Sequence, residues 1–254
     1  MKPAHGMARL TRPLTHALFA LGAATLLAST LAPSIAAAAG DPIEDAINSP
    51  LRSADDRKDD AKRKPAQFLA FAMVRPGMKA LDVAAGGGGT ASLLALAVGS
   101  GGEVWAQTGK ASERLEKRLA ASPQPNLHPA VRSFDDPVPS GVSGLDLVTI
   151  NMSYHDIVNT PADRAAMNKH LFDALKPGGH LVIIDNAAKD GSGISATNTL
   201  HRIDEAVVIA EVSKAGFALD ARADYLRVPS DPREQPFFKM DKPDDKFALR
   251  FVKK

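Results

Sequence analysis

The sequence predicts an α/β fold in which helices cover both faces of a mostly parallel sheet. Residues 80–90 form an apolar strand that runs into four consecutive glycines and then a helix. Between residues 79 and 185, strand patterns alternate with helix patterns, and this alternation is typical of parallel strands joined by crossover helices. Near the C-terminus, Phe247, Leu249 and Phe251 alternate with other residues, which indicates a last strand that returns antiparallel.

Seven strands are predicted from short apolar runs bounded by glycine, proline or charged residues. In chain order they occupy residues 79–83, 103–107, 127–134, 145–150, 180–185, 218–228 and 247–251.

Helices are predicted from N-cap residues and from apolar residues at helical spacing. A leading helix starts at Ser53, with acids in its first turn, and continues or restarts after Pro65. Further helices are predicted at 91–98, 111–121, 160–175 and 199–215. The helix at 160–175 ends before Lys-Pro-Gly-Gly at 176–179, because proline and glycine prevent its continuation.

The first 39 residues resemble a secretory signal peptide in composition. They contain three basic residues, no acidic residue and an apolar run at 17–31, followed by small residues. This run is shorter than the roughly 20 residues that span a bilayer, so no membrane anchor is expected to remain after cleavage at Ala38 or Ala39. The chain has no cysteine, which excludes a lipoprotein anchor. We therefore predict an exported, periplasmic protein with residues 1–39 as its signal peptide.

Charge argues against a nucleic-acid partner. The leader holds three of the 31 basic residues and none of the 29 acidic ones, so the remainder carries a formal charge of −1. A nucleic-acid surface is expected to show a basic stripe with interleaved aromatic residues, and the sequence shows none. The oligomeric state is left open.

The strand at 79–83 contains an acid that helps to distinguish among nucleotide-binding folds. Asp82 precedes Gly86 by four residues, whereas dinucleotide-binding folds usually place glycine directly after the strand. The pattern of apolar residue, acid, apolar residue and spaced glycines resembles motif I of the class I S-adenosylmethionine (SAM) dependent methyltransferases. On this resemblance Ala84 stands at the first glycine position, and Gly86 and Gly88 stand at the next two.

A second signature lies at 174–185, where Ala-Leu-Lys-Pro-Gly-Gly precedes the apolar strand His-Leu-Val-Ile-Ile-Asp. With it, the resemblance covers 68–252. The leader, together with the segments at 154–156, 200–205 and 226–227, also resembles a group of exported bacterial proteins described as predicted methyltransferases.

The resemblance implies a Rossmann-like, seven-stranded sheet of order 3-2-1-4-5-7-6, with strand seven antiparallel. It also implies SAM as the cofactor and methyl transfer to a small-molecule acceptor. A methyltransferase-like domain would then occupy residues 68–254, after an N-terminal helical lead at 40–67.

The resemblance assigns cofactor contacts to the ends of the first three strands. Asp82 and the backbone at 84–88 would face the methionine part of SAM. Gln107 stands where the family generally has an acid that binds the ribose hydroxyls, and it offers one carbonyl oxygen instead. Asp135 or Asp136 would accept the adenine amino group, unless the acid simply starts a turn.

The segment after the fourth strand is the expected reaction site. Asn151 is predicted to contact the cofactor, Tyr154 to orient the acceptor, and His155 to act as a base near neutral pH. His201 is the alternative base. Purely structural roles for both histidines stay open at this point.

No metal site is predicted. Asp185 and Asn186 resemble part of the metal site of catechol-type O-methyltransferases, but Asn151 replaces the acid that would complete it. Asp204 and Glu205, close to His201, do not have a spacing typical of metal ligands.

Two other functions compete with methyl transfer. A noncatalytic exported binding protein on the same scaffold is favoured by Ala84 and Gln107. A nicotinamide-dependent oxidoreductase would need a ribose-binding acid about 20 residues after the glycines, and Gln107 stands there instead.

Overall fold

A computed structural model of the chain describes residues 40–254. The predicted signal peptide lies outside these residues. The strands are β1 (Lys79–Val83), β2 (Glu103–Thr108), β3 (Leu127–Val131), β4 (Leu145–Asn151), β5 (Leu175–Asn186), β6 (Ala218–Ala223) and β7 (Lys246–Val252). The helices are α1 (Pro42–Asn48), α2 (Ala54–Lys58), α3 (Asp60–Arg63), α4 (Pro65–Phe71), α5 (Gly89–Val98), α6 (Glu113–Ala121), α7 (Tyr154–Val158), α8 (Arg164–Ala174), α9 (Thr197–Leu200) and α10 (Glu205–Lys214), with a 3₁₀ turn at Phe237–Lys239.

The strands form one sheet in the order β3-β2-β1-β4-β5-β7-β6, which confirms the predicted topology. Strands β1 to β5 are parallel, whereas β7 pairs antiparallel with both β5 and β6. The order reverses beside β1, because β2 and β4 pair with its two edges. The carboxyl ends of these three strands therefore border the crevice where open α/β sheets bind ligands.

Each face of the sheet packs against its own apolar cluster, as expected for a parallel sheet covered by helices. On one face, Ala80 of β1 packs with Leu94 of α5. On the other face, Leu81 of β1 packs with Met167 and Leu171 of α8. Alternation along β1 thus supplies both cores, and the strand is buried on both sides.

Several predicted boundaries differ from the structure because capping residues act locally. The helix predicted at 199–215 is two helices: α9 ends at His201, where the backbone turns left-handed (φ 52°). The second helix, α10, begins after Asp204, whose carboxylate accepts the N–H of Ala206 at 2.9 Å. Likewise, α8 begins after Asp163 rather than at Thr160, because the Asp163 carboxylate accepts two N–H groups of the first turn.

The N-terminal lead forms four short helices, and α1 packs against α5. The predicted cap at Ser53 is present as a capping box, in which Ser53 and Asp56 exchange hydrogen bonds. Within residues 40–254, no helix combines the length and apolarity needed to cross a membrane.

Candidate functional site

A cleft of about 1840 Å³ opens at the carboxyl ends of β1, β2 and β4. The glycine-rich loop between β1 and α5 forms its centre, α2 and α3 border one side, and the loop containing Phe237 and Phe238 borders another. Ligand pockets commonly measure about 300–1,000 Å³, so this cleft has room for a nucleotide-sized ligand and a second small molecule.

Asp82 lines this cleft and carries an unsatisfied carboxylate oxygen. Its Oδ1 accepts the Thr149 hydroxyl at 2.7 Å, while Oδ2 has no hydrogen-bond partner within the described part of the chain. Burial raises the pKa of Asp82 to about 7, against the opposing effects of the Thr149 hydroxyl, the nearby Ala91 backbone N–H and the Arg63 charge. A ligand group that donates to Oδ2, especially a cationic one, would stabilise the ionised carboxylate.

The glycine-rich loop turns through left-handed backbone at three of the predicted positions. Ala84, Gly86 and Gly88 have φ values of 54°, 56° and 76°. Alanine adopts this region at a cost of about 1–2 kcal/mol, whereas glycine does so without penalty. Gly88 also permits close packing, since a Cβ there would lie 2.5 Å from Leu115 Cδ1. Ala84 and Gly86 line the cleft, and Gly88 supports the loop from behind.

Gln107 supports the strained turn instead of facing a ligand. Its Oε1 accepts the Ala84 N–H at 2.9 Å, and its Nε2 donates to the Arg132 carbonyl at 2.7 Å. The side chain is fully buried and does not border the cleft, so the ribose contact expected of Gln107 is not available to it. Thr108, the next residue, borders the cleft at this strand end.

Two side chains of the α6 region fix the loop carbonyls. Ser112 donates to the Gly86 carbonyl at 2.8 Å, and Arg118 Nε donates to the Gly87 carbonyl at 2.7 Å. Arg118 also forms a bidentate pair with Asp56 of α2 at 2.5 and 2.9 Å. Burial opposes ionisation of Asp56, but the contacts with Arg118 and Ser53 outweigh it and lower its pKa. The loop is therefore held in shape partly by the N-terminal lead.

Asp135 and Asn151 also reach the cleft. Asn151 Nδ2 donates to Thr90 Oγ1 at 3.2 Å, at the start of α5. Asp135 Oδ1 accepts the Asp163 N–H at 2.5 Å. Asp136 pairs with Arg132 outside the cleft, so Asp135 is the one of the two acids that a ligand in the cleft can meet.

Tyr154 does not face the cleft, which differs from the expected contact with an acceptor. The ring is buried against α8 and α10, where its hydroxyl donates to Glu211 Oε2 at 2.8 Å and accepts from Asn168 Nδ2 at 3.0 Å. Glu211 also binds Arg164 through both oxygens. Burial and the Glu211 charge raise the pKa of Tyr154. The tyrosine therefore links α7 to α8 and α10 through its hydroxyl group.

His155, Asp156 and His201 meet at the edge of the cleft. The His155 ring is buried, and its Nδ1 lies 2.6 Å from Asp185 Oδ1. The His201 ring packs edge-on against both His155 and Phe238, with centroids 5.5 and 5.3 Å apart. Of the cluster, Asp156 borders the cleft itself.

The pKa of His155 differs from that of an unperturbed imidazole. Burial disfavours its charged form, but the neighbouring Asp156 and Asp185 carboxylates outweigh burial and raise the pKa of His155 to about 9. The imidazole therefore holds a positive charge at neutral pH in the absence of another cation. It is poorly suited to take a proton from an acceptor.

No protein-family model matches the chain. Over 117 residues it is 32% identical to the ubiquinone/menaquinone biosynthesis C-methyltransferase UbiE of Laribacter hongkongensis, a match that covers 46% of each chain. Identity to the Burkholderia cenocepacia protein of the same name is 29% over the same extent. The chain thus spans about half the length of the curated relatives it matches.

Solved structures share this fold. A SAM-dependent methyltransferase from Aquifex aeolicus superimposes with a TM-score of 0.58 over 80% of this chain and 96% of its own, at 18% identity. At this identity the likeness shows the fold, which the chain shares with this SAM-dependent methyltransferase. A Burkholderia thailandensis 1,6-didemethyltoxoflavin N1-methyltransferase with bound S-adenosylhomocysteine is a further neighbour, with a TM-score of 0.53 at 18% identity, covering 77% of this chain and 80% of its own.

Some of the site residues predicted from the sequence line the cleft of this fold, and others do not. The predicted residues that line it are Asp82, Ala84, Gly86, Asp135 and Asn151. The residues that sequence reasoning missed are Thr108, Ser112, Arg118 and Asp56. A sequence signal existed for Ser112, which caps α6 by accepting the Leu115 N–H at 3.3 Å. Asp56 and Arg118 are 62 residues apart, and no sequence signal identified their pairing.

Proposed function

We propose that this protein is a SAM-dependent methyltransferase that acts on a small-molecule acceptor. The observation that carries the proposal is the Asp82 carboxylate, buried beside the glycine-rich loop with Oδ2 unpartnered among the described residues. An anionic group in this position fits the positively charged amino-acid portion of SAM. The similarity to C-methyltransferases and the shared fold support the same assignment.

The residues present fit the cofactor along the whole cleft. Asp82 and the loop at 84–87 would hold the methionine part, and Asp135 would meet the adenine. Thr108 replaces Gln107 as the side chain at the end of β2 that is able to contact the ribose. When bound, SAM supplies a methyl group activated by its sulfonium.

One part of the cleft is apolar, and we assign the acceptor to it. Phe237, Phe238 and Met240 border it, and Phe238 is 57% exposed. An aromatic or otherwise apolar small molecule would cover these side chains and lie near the β4 end. Positioning two reactants within one site removes part of the entropic barrier, which can amount to several kcal/mol.

The test is a calorimetric titration of the purified protein with SAM, S-adenosylhomocysteine and, as a control, NAD. We expect micromolar binding of the first two and none of NAD. A screen of aromatic small molecules for S-adenosylhomocysteine release would then identify the acceptor. Absence of SAM binding by a folded protein, or preferential binding of NAD, would contradict the proposal.

A further inference from the structure

Two histidines and one aspartate converge at the edge of the cleft. His155 Nε2, Asp156 Oδ1 and His201 Nδ1 all lie within 4.8 Å of one another. Asp156 Oδ1 is 3.2 Å from His155 Nε2 and 3.1 Å from His201 Nδ1. Two ligands bound at about 2.0–2.1 Å to the same ion are roughly 2.9–3.4 Å apart in octahedral or tetrahedral geometry. The two distances to Asp156 Oδ1 match those between ligands that share an ion.

His155 Nε2 lies in this cluster beside Asp156 Oδ1, without a hydrogen bond of good geometry within the described residues. The side chain of His155 is 1% exposed, and within residues 40–254 its Nε2 makes no hydrogen bond. The 3.2 Å distance to Asp156 lacks hydrogen-bond geometry, although it is short enough. A metal ion could bind this buried nitrogen and the nearby carboxylate oxygen at the same time.

A second carboxylate orients His155 for this purpose. Asp185 is fully buried, and its oxygens lie 2.6 Å from His155 Nδ1 and 2.8 Å from the His155 backbone nitrogen. An ionised carboxylate only accepts, so Nδ1 keeps its proton, whereas a metal ion would displace the proton of Nε2 and take its lone pair. Carboxylate, imidazole and metal in series are the usual surroundings of a metal-bound histidine.

The donors determine the kind of ion. We propose that His155, Asp156 and His201 bind a divalent first-row transition metal ion, for which Zn²⁺ is the probe. Two imidazoles and one carboxylate suit such ions, whereas Ca²⁺ and Mg²⁺ take oxygen ligands. The site is distinct from the Asp185, Asn186 and Asn151 positions considered from the sequence, since Asp185 acts here as the support for His155.

The ion would have open coordination toward the cleft. Three protein ligands with a free position are typical of catalytic rather than structural sites. Asp156 borders the cleft, and its side chain is 57% exposed. Phe238, which packs against His201, borders the same opening. An acceptor oxygen bound in the open position would have its pKa lowered, which would favour loss of its proton.

The experiment measures metal binding without reference to methyl transfer. The purified protein is stripped with a chelator, dialysed and titrated with Zn²⁺ by calorimetry, with Ca²⁺ as the comparison ion. We expect one Zn²⁺ per chain and no Ca²⁺ binding in the same range. The absorption spectrum of the Co²⁺ form would report the coordination number.

Four variants locate the site. Asp156→Asn and His201→Asn should each weaken Zn²⁺ binding by about 100-fold or more, because each removes a ligand. Asparagine tolerates the left-handed backbone of His201 (φ 52°), so that variant is expected to fold. Asp185→Asn, which alters the positioning residue, should weaken binding by about 10- to 100-fold. The matched control is His128→Asn, a half-exposed histidine on β3 paired with Glu103, and its binding should be unchanged.

Two outcomes would overturn the proposal. One is the absence of Zn²⁺ binding by the folded wild-type protein at micromolar concentrations. The other is equal binding by wild type, His201→Asn and Asp156→Asn, which would place the ion elsewhere in the chain. Either result can be distinguished from a failure of the methyltransferase proposal, which is judged by SAM binding alone.

Discussion

Two residues that depart from the cofactor-binding motif are hydrogen-bonded to each other in one turn. Ala84 replaces a glycine at a left-handed position, and Gln107 replaces an acid at the end of β2. The structure pairs them, because Gln107 Oε1 accepts the Ala84 N–H at 2.9 Å. These two positions, at which the sequence departs from the motif that it resembles, therefore belong to one local arrangement.

The Asp82 carboxyl is expected to couple SAM affinity to pH. Its pKa is raised to about 7, so the group is largely neutral below that pH in the free protein. A cationic ligand favours the ionised form, and SAM affinity should increase as the pH rises through 7. At pH 8, Asp82→Asn should bind SAM about 10- to 100-fold more weakly, since a hydrogen bond to a charged group contributes about 1.5–3 kcal/mol. Calorimetry between pH 6 and 8 checks both statements.

The same group affects stability with a defined sign. A carboxyl whose pKa is higher in the folded protein than in the unfolded chain stabilises the fold fully below its unfolded value, near 3.8. That contribution is lost as the pH rises toward 7, by about 4 kcal/mol at most. Asp82→Asn should lack this pH dependence, so the difference in unfolding free energy between wild type and variant should change between about pH 4 and pH 7. A difference that stays constant over this range would contradict the pKa shift.

Among individual residues, the sequence identified those whose role follows from backbone position. Asp82, Gly86 and Asn151 lie where strand ends and turns place them. It did not identify the orientation of Gln107 and Tyr154, because neighbouring residues face different surroundings and the choice depends on helices far away in sequence. His155 and His201 were each considered alone, although they meet across 46 positions of the chain.

At the level of elements, the strands were more predictable than the helices. Apolar runs bounded by turns predicted all seven strands, and the resemblance to the methyltransferases implied their order. Helix starts depended on single capping residues. Asp204 begins a new helix inside the predicted 199–215 helix by accepting the Ala206 N–H, and its carboxylate also accepts the Gly191 N–H at 2.8 Å. The short helix α7 was not predicted, since five residues after a strand carry little periodicity.

The loop between β1 and α5 should depend on α6. Arg118→Gln removes the bidentate contact with Asp56 and disturbs the bond to the Gly87 carbonyl. We expect the free energy of unfolding to fall by about 1–2 kcal/mol and SAM affinity to fall about tenfold, because the loop would no longer be held in place before binding. Denaturant titration and calorimetry measure the two effects.

The nearby Glu116→Gln is the control for Arg118→Gln. Glu116 is an exposed residue of α6 that does not line the cleft, so its substitution should leave both quantities near wild type. Equal behaviour of the two variants would show that the loop does not depend on Arg118.

For the whole molecule, we propose that residues 1–39 direct export. Three basic residues, an apolar run and a following stretch of alanines support this proposal. Expression in a Gram-negative host should yield a periplasmic product that begins near residue 39 or 40. Mass spectrometry of each cell fraction determines its start, and Leu26→Arg, which interrupts the apolar run, should leave the chain uncleaved in the cytoplasm. An uncleaved wild-type protein in the cytoplasm would contradict the proposal.

Composition separates a charged lead at 40–67 from the more apolar domain that follows, but residues of both segments line the cleft. Asp56, Lys62 and Lys64 border the cleft, and Lys64 Nζ also reaches the Tyr225 carbonyl at 2.5 Å. A fragment trimmed to begin at Phe68 would keep every strand of the sheet and both sequence signatures, at residues 80–90 and 174–185. It would nevertheless lose one wall of the cleft. A recombinant version of this protein should therefore retain residues 40–67.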